Sequence, residues 1–515
     1  MPPARPIRKV LVANRGEIAL RVLRTCREMG LKTVAVYSDA DRNALHVRAA
    51  YEAVRLGPAP ARESYLRGDL IVEAARRTGA DAIHPGFGFL SEKADFVRQV
   101  RAAGLVFVGP SPEAMEAMGD KLGARRNMIA AGVPVVPGTT EPARDDATLR
   151  AEAARIGYPV MIKASAGGGG KGIRIARDEK ELLSGAARAR GEAKSAFADD
   201  RIYLEKYLEE PRHIEVQVFG DSHGNVVHLG ERECSMQRRH QKVIEERPSP
   251  LLDEALREKM GAAAVKAARS IKYENAGTIE LLVDKHRNFY FLEMNTRLQV
   301  EHPITELTSG LDLVRWQMLV AMGEKLPLAQ DQIRHEGHAI EVRLYAEDAD
   351  HGFLPASGRV QRLELPGGPG VRVDSGLFEG QEITPHYDPM LAKISVHAAT
   401  RELAIARMAR ALAEVTVTGV ITNLPFLRRA IDSEPFRTGR YDTGTIEGRP
   451  ELFAPAFTEI RELQVALVAA TMAHVLRRRR GLHAVERTDG RADGEAAPPP
   501  ARRTGWRDAF RPGAP

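Results

Sequence analysis

The amino-acid sequence predicts an α/β protein that opens on a Rossmann-like parallel sheet and turns α+β in its C-terminal part. Three observations predict this. Residues 7–13, 16–29 and 33–37 read as strand, amphipathic helix and strand, a βαβ opening. Further alternation through residues 70–77, 80–83, 96–103 and 105–108 fits a parallel sheet covered by helices. Later, residues 277–283 and 288–292 read as a hairpin whose apolar run ends abruptly in closely spaced polar and charged groups.

In the first helix Ile18, Val22, Leu23 and Cys26 fall on one side. The turn before it, Asn14-Arg15-Gly16-Glu17, lacks the G-x-G-x-x-G fingerprint, so the Rossmann-like shape does not imply NAD. The loop His84-Pro-Gly-Phe-Gly-Phe-Leu-Ser91 follows a strand, where α/β sites lie, although a plain Gly/Pro turn explains it equally well. Residues 134–142, rich in Pro, Gly and Thr, mark a boundary. Beyond them residues 158–176 read as strand, glycine loop, strand. Gly167, Gly169 and Gly172 match the dinucleotide spacing, but Ile173 and Ile175 then alternate and no helix opens; no Ser or Thr follows Lys171, so a P-loop fails too. What remains is a glycine flap whose bare amides can close over phosphates while Lys163 and Lys171 neutralise them. A merely flexible hairpin is the plainer alternative.

Residues 201–208, with Glu205-Lys206, and 213–219 read as strands. The cluster Arg238, Arg239, His240 and Lys242 reads by itself as a solvated basic face. If the later hairpin turns between His286 and Arg287, facing residues sum to 573 and Glu280 lies opposite Glu293. Like charges facing across a sheet are destabilising, so the pair asks for a cation. Magnesium suits hard oxygen ligands, and Asn295, of the same parity as Glu293, offers a third oxygen. A solvated face with the register one residue off is the alternative. Residues 339–345 alternate so that Arg343 leaves on the polar side. Residues 458–480 read as a helix with Leu463, Leu467, Val468, Met472, Val475 and Leu476 on a broad apolar side, and residues 487–515, rich in Gly, Pro and Arg, as disordered or extended.

At 515 residues the chain suits two to four domains, and 43% apolar with 28% charged residues is a globular composition. Cys26 and Cys234 are too few for a disulfide framework or zinc site, which points to a reducing compartment and a cytoplasmic protein. No stretch reaches the ~20 apolar residues of a membrane span. The net charge of +6 is concentrated in the last forty residues, so nucleic acid is not expected as a partner.

Taken in order, Ala13-Asn-Arg-Gly-Glu-Ile-Ala19, His84 to Glu92, Met118-Gly-Asp-Lys121, Lys163-Ala-Ser, Arg238-Arg-His-Gln-Lys242 and Glu293-Met-Asn-Thr-Arg-Leu-Gln-Val-Glu-His-Pro303 resemble the biotin carboxylases of the ATP-grasp superfamily, over roughly residues 7–450. The resemblance implies an N-terminal domain at 1–120, an ATP-grasp domain at 121–325 with a glycine-flap lid at about 136–207, a C-terminal domain at 326–450, and a helical arm with a basic tail at 451–515. It implies ATP-dependent carboxylation of biotin by bicarbonate through carboxyphosphate, the first half-reaction of a biotin-dependent acyl-CoA carboxylase, with magnesium or manganese, as two ions. Lys121, Lys163 and the flap glycines Gly168, Gly169 and Gly170 would bind the phosphates. Glu205, Lys206, Leu208, His213, Gln237, His240 and Leu282 would surround adenine and ribose, and Glu280, Glu293 and Asn295 would hold the metal. Lys242, Arg297, Gln299 and the Val300 amide would hold bicarbonate, Glu301 would deprotonate it, and Arg343 would steady the biotin enolate. Family partners would be a separate biotin carboxyl carrier protein, a carboxyltransferase subunit and a second copy of the chain; no Met-Lys pair, the usual biotinylation context, occurs here, and the chain is expected to stop short of a carrier domain. Phe87 departs from the tyrosine of many bacterial members. Runner-up readings are an ATP-grasp ligase joining a carboxylate to an amine, a pyruvate carboxylase subunit, and a nucleotide-binding scaffold.

Overall fold

The computed structural model describes residues 6–143, 145–164, 174–197 and 199–453, and the positions 464–465, 467–472 and 475–476. They belong to two units, Met1–Phe453 and Ala454–Pro515.

Strands β1 (Lys9–Val12), β2 (Lys32–Ser38), β3 (Glu52–Gly57), β4 (Ala82–His84) and β5 (Val106–Phe107) form a wholly parallel sheet in the order β3-β2-β1-β4-β5. Helices Gly16–Glu28, Gly68–Thr78 and Ala94–Ala102 bury Ile18, Val22, Ile71, Ala75, Phe96 and Val97 in its cores. The edge strand β3 is the one the apolar pattern does not announce, because alternate residues along it remain open to solvent. Strand order reverses beside β1, so the loops after β1 and β4 leave at the crevice where such sheets place their sites. Asn14 knits the two loops together, its Nδ2 donating to the Pro85 and Phe87 carbonyls at 2.7 Å each.

A small antiparallel sheet follows, ordered β7-β6-β8 from β6 (Val160–Ala164), β7 (Arg174–Ala176) and β8 (Ile202–Lys206), with helix Glu179–Phe197 packed on Val160, Ile162 and Leu204. The β6–β7 link carries the glycine flap, so Gly168, Gly169, Gly170 and Lys171 lie outside the described residues.

The largest sheet is antiparallel and eight-stranded. Its order is β13 (Phe289–Asn295), β12 (Asn275–Val283), β9 (Arg212–Gly220), β10 (Val226–Arg238), β11 (Gln241–Arg247), β14 (His338–Tyr345), then strands Met390–Ala398 and Val371–Ser375. One face is apolar: Ile214, Val216, Ile279 and Met294 pack on helix Glu254–Ser270, and Val342, Leu344 and Ile394 on helix Arg401–Glu414. The opposite face carries charge and is covered in part by helix His302–Ser309. With both faces covered, β9 and β14 are buried at every position, including Arg343, so their alternation separates apolar from ionic rather than inside from outside.

Two expectations need correction. Arg238, Arg239, His240 and Lys242 do not form one solvated face. Arg239 (φ 46) and His240 (φ 66) are the exposed two-residue turn joining β10 to β11, while Lys242, next on β11, turns inward. In the later hairpin the facing sum is 573 only at the site, where Thr278 faces Asn295 and Glu280 faces Glu293; from Leu281 and Phe291 to the turn it is 572. A bulge at Leu292 separates the registers, and the turn spans Asp284–Asn288 with Arg287 at φ 63.

In the second unit residues 464–465, 467–472 and 475–476 are helical, and Val465, Leu467, Val468, Met472, Val475 and Leu476 are exposed. The rest of that expected helix lies outside the described residues.

Candidate active site

Sheet register lines up the ionic face. Arg232 on β10 faces Glu215 on β9, which faces Glu280 on β12, which faces Glu293 on β13. Arg232, fully buried, donates to Glu215, to Gln217 Oε1 and Thr305 Oγ1 at 2.9 Å, and to Thr278 Oγ1 at 3.2 Å. Above this row Lys242 Nζ reaches Glu215 Oε2 at 2.6 Å and both Glu280 Oε1 and Glu301 Oε1 at 2.8 Å. Arg343 bridges Glu245 Oε1 at 2.6 Å and Glu301 Oε2 at 2.9 Å. Glu301, immediately before helix His302–Ser309, is thus a fully buried carboxylate between two cations. Burial alone would raise its pKa, but Lys242, Arg343 and Arg232 hold it well below the usual carboxylate range. Burial would likewise lower Lys242, and its three carboxylates keep it well above the ordinary ammonium value.

Around Glu280 the polar side chains converge. Asn295 Nδ2 donates to Glu280 Oε1 at 2.7 Å, Gln299 Nε2 at 3.3 Å, and His213 Nε2 lies 3.1 Å from Glu280 Oε2. Gln237 Nε2 is 3.4 Å from His213 Nδ1. Arg297 bonds Gln299 Oε1 at 2.8 Å and Asn295 Oδ1 at 3.0 Å, and its Nε meets Glu92 Oε2 at 3.1 Å. Glu92 also accepts from the Thr296 amide at 3.1 Å. The loop after β4 therefore reaches into the site, and the plain-turn alternative for residues 84–91 is set aside. An ordinary ion pair between Arg297 and Glu301, four residues on, does not form, since the intervening chain is not helical.

A second group joins the small sheet to helix Lys121–Ala130. Lys163 pairs with Glu205, and Arg125 reaches Glu205 Oε1 at 3.1 Å. Lys121 opens helix Lys121–Ala130, whose N-cap Asp120 accepts from the Gly123 amide at 2.7 Å. Burial pushes the Lys121 ammonium down, against the pull of Glu293. Glu293 is accessible from the cleft and, among the described residues, has no hydrogen bond or ion pair; surrounding protein and then the facing Glu280 push its pKa up. An acid unpaired beside another acid, with the amide of Asn295 in the next row, fits a hard divalent cation.

Some expected residues stand apart from this convergence. Lys206 Nζ turns away to the Gly157 and Tyr158 carbonyls at 3.0 and 2.8 Å. His240 is at the exposed hairpin tip, while Leu208 and Leu282 are half-buried apolar contacts. The Val300 carbonyl accepts from the fully buried Lys393 at 2.8 Å, and Lys393 Nζ stands 6.0 Å from the Phe87 ring. Sequence reasoning missed Glu215, Arg232, Glu245, Glu92 and Lys393. A signal existed for the first: His213, Glu215 and Gln217 share one parity of a strand whose other parity is Ile214, Val216 and Val218.

The parallel opening sheet, the small lid-like sheet and this ionic cleft define an enzyme of the ATP-grasp class. Residues 6–115 match the family described as biotin carboxylase, N-terminal domain, residues 120–329 that described as carbamoyl-phosphate synthase L chain, ATP binding domain, and residues 341–448 the biotin carboxylase C-terminal domain. A biotin carboxylase of Halalkalibacterium halodurans is 53% identical over 439 residues, 85% of this chain and 97% of its own. The mitochondrial methylcrotonoyl-CoA carboxylase subunit alpha of Oryza sativa is also 53% identical, over 86% of this chain and 60% of its own length, so the chain spans about three fifths of that relative. The biotin carboxylase domain dimer of Hydrogenobacter thermophilus 2-oxoglutarate carboxylase, solved with MgADP, ADP and bicarbonate, superposes with a TM-score of 0.83 at 47% identity, covering 88% of this chain and all of that one. The chain belongs to the biotin carboxylase family.

Proposed function

We propose that this chain carboxylates biotin with bicarbonate at the expense of ATP, the first half-reaction of a biotin-dependent carboxylase. One observation carries the reading beyond family membership: a fully buried, ionised Glu301 is clamped by Lys242 and Arg343 beside the donors Arg297 and Gln299. Lys121 and Lys163 neutralise the nucleotide phosphates, with the flap amides, and Glu205, Leu208, His213, Gln237 and Leu282 enclose adenine and ribose; for Lys206 and His240, whose side chains stand apart, the family resemblance alone supports that role. Glu280, Glu293 and Asn295 would hold magnesium or manganese, which would supply charge neutralisation at the transferring phosphoryl group. Lys242, Arg297, Gln299 and the Val300 amide hold bicarbonate.

Bicarbonate must lose its proton as its oxygen attacks the γ-phosphorus. A carboxylate with a depressed pKa is a weak base, and the anion itself corrects this: bicarbonate held by Lys242 and Arg297 draws on Lys242, one of the cations that stabilise ionised Glu301, and so raises its proton affinity. Carboxyphosphate then forms as the bond from γ-phosphorus to ADP breaks. Its decay to carbon dioxide leaves phosphate to take the ureido proton of biotin, and Arg343 steadies the resulting enolate. Glu301→Gln keeps the shape and removes the base, so bicarbonate-dependent ATP cleavage should fall by ~10²–10⁴-fold with little change in ATP affinity. Retention of the rate within a fewfold would place the base elsewhere.

Biotin arrives on a separate carrier protein and leaves to a carboxyltransferase. A partner subunit is supported by the Oryza relative, which is named as subunit alpha of a carboxylase, and no Met-Lys pair occurs in these 515 residues. A streptavidin blot of the chain made with an active biotin ligase should be blank. The chain works as a homodimer, as the H. thermophilus domain is described, in the cytoplasm; no helix among the described residues is long and apolar enough to cross a membrane.

A further inference from the structure

Behind Glu301 lies a pair of acids that the proposed chemistry does not use. Glu245 on β11 and Glu341 on β14 face each other directly in the antiparallel ladder, and both are fully buried. Glu245 Oε1 accepts from Arg343 Nε at 2.6 Å, and Glu341 Oε2 from Ser395 Oγ at 2.6 Å. The remaining oxygens, Glu245 Oε2 and Glu341 Oε1, are buried without a hydrogen-bond partner.

The surrounding charges do not neutralise a second anion here. Arg343, on the same strand, is shared with Glu301, and Lys242 is committed to Glu215, Glu280 and Glu301. On strand Met390–Ala398, Lys393 donates to the Val300 carbonyl and lies 3.3 Å from Glu17 and 3.8 Å from Asp374. Arg372, on strand Val371–Ser375, pairs with Glu306 at 2.7 Å and Asp374 at 2.8 Å. From the covering helix His302 faces the same layer, and burial with Lys393, Arg21 and Arg372 nearby keeps it neutral. Two carboxylates opposite one another with unpaired oxygens are satisfied together by one proton.

We propose that Glu245 and Glu341 hold a single proton, carried on Glu341 Oε1 and donated to Glu245 Oε2, and that this acid–carboxylate bond fixes Glu245 as the anchor from which Arg343 reaches Glu301. The role given to Glu341 is that of a positioning residue, and it rests on the reading of Arg343 and Glu301 above. Burial pushes Glu341 up to about 8, with Glu245 adding to the rise against the pull of Lys393, and pushes Glu245 up to about 7, with Glu301 adding to the rise against the pull of Arg343. The two titrate as one unit. When the proton leaves, two anions face each other and draw Arg343 from Glu301.

Infrared difference spectra of the full chain read the proton itself, whatever the reaction turns out to be. At pH 7 the wild type should show the carbonyl band of a buried protonated carboxylic acid, shifted by deuterium and lost in Glu341→Gln. Biotin-dependent ATP cleavage should fall roughly tenfold per pH unit above the pair's upper pKa in the wild type. Glu341→Gln, whose amide donates to Glu245 without titrating, should keep its pH 7 rate within a fewfold and lose that fall. A wild type without the acid band, a band unchanged in Glu341→Gln, or an unchanged alkaline limb in that variant overturns the proposal. Should Glu341→Gln not fold, the wild-type band decides: fading near pH 8 supports the shared proton, and its absence at pH 7 refutes it.

Discussion

Single residues in this cleft act through the charges they balance. Arg232 has no exposed surface and holds Glu215 in a row of three acids, so Arg232→Met leaves that carboxylate leaning on Lys242 alone. Removing one partner of a buried ion pair costs about 3–5 kcal/mol. Denaturant unfolding should show a loss of that size; a loss below about 1 kcal/mol would contradict the network. Glu246 gives a pH test away from the chemistry. Burial would raise its pKa, but His338 at 2.7 Å and Arg401 at 2.7 and 2.9 Å bring it down from the ordinary glutamate value of 4.5 to about 2. A depressed carboxylate stabilises the fold above its unfolded pKa and loses that contribution as pH falls through the folded one. About 3 kcal/mol is therefore present at neutral pH and lost between about pH 4.5 and 2, which Glu246→Gln should remove from the acid limb of the stability curve.

At the scale of elements, what could be read beforehand depended on whether one strand's pattern contained the answer. The opening βαβ was legible because helix periodicity is local; the facing of Glu280 with Glu293 followed from a turn placed between His286 and Arg287, and it holds because an extra residue at Leu292 offsets a turn that starts the ladder at a sum of 572. The bulge at Leu292 was not legible, as nothing in an apolar run marks which residue is extra. Lys242 looked solvated because three of its neighbours in sequence are basic; the carboxylates that draw it inward come from β9, β12 and the segment before helix His302–Ser309. The roles assigned to His240 and Lys206 came from resemblance alone. The β10–β11 turn offers a test of one of them, since both of its residues hold positive φ, a conformation that Asn-Gly adopts more readily. Arg239→Asn with His240→Gly should stabilise the protein by about 0.5–2 kcal/mol. If His240 touches the nucleotide, the same double variant should raise KM for ATP; an unchanged KM removes His240 from the site.

At the scale of the molecule, the N-terminal sheet contributes Glu92 through its β4 loop, the large sheet supplies the ionic row, and the strands after residue 338 bring Arg343 and Lys393 behind Glu301. Cutting the chain before residue 458 should spare ATP turnover with free biotin, because the site is assembled within residues 1–453; loss of turnover in a folded truncation would assign the later residues to the catalytic body. The central claim, that bicarbonate oxygen attacks the γ-phosphorus and the carbon passes to biotin, is tested most directly with bicarbonate labelled in all its oxygens. Given ATP, magnesium and free biotin, the account predicts one labelled oxygen in each phosphate released and carboxybiotin formed with it. Phosphate released without label, its new oxygen coming from water, would contradict it.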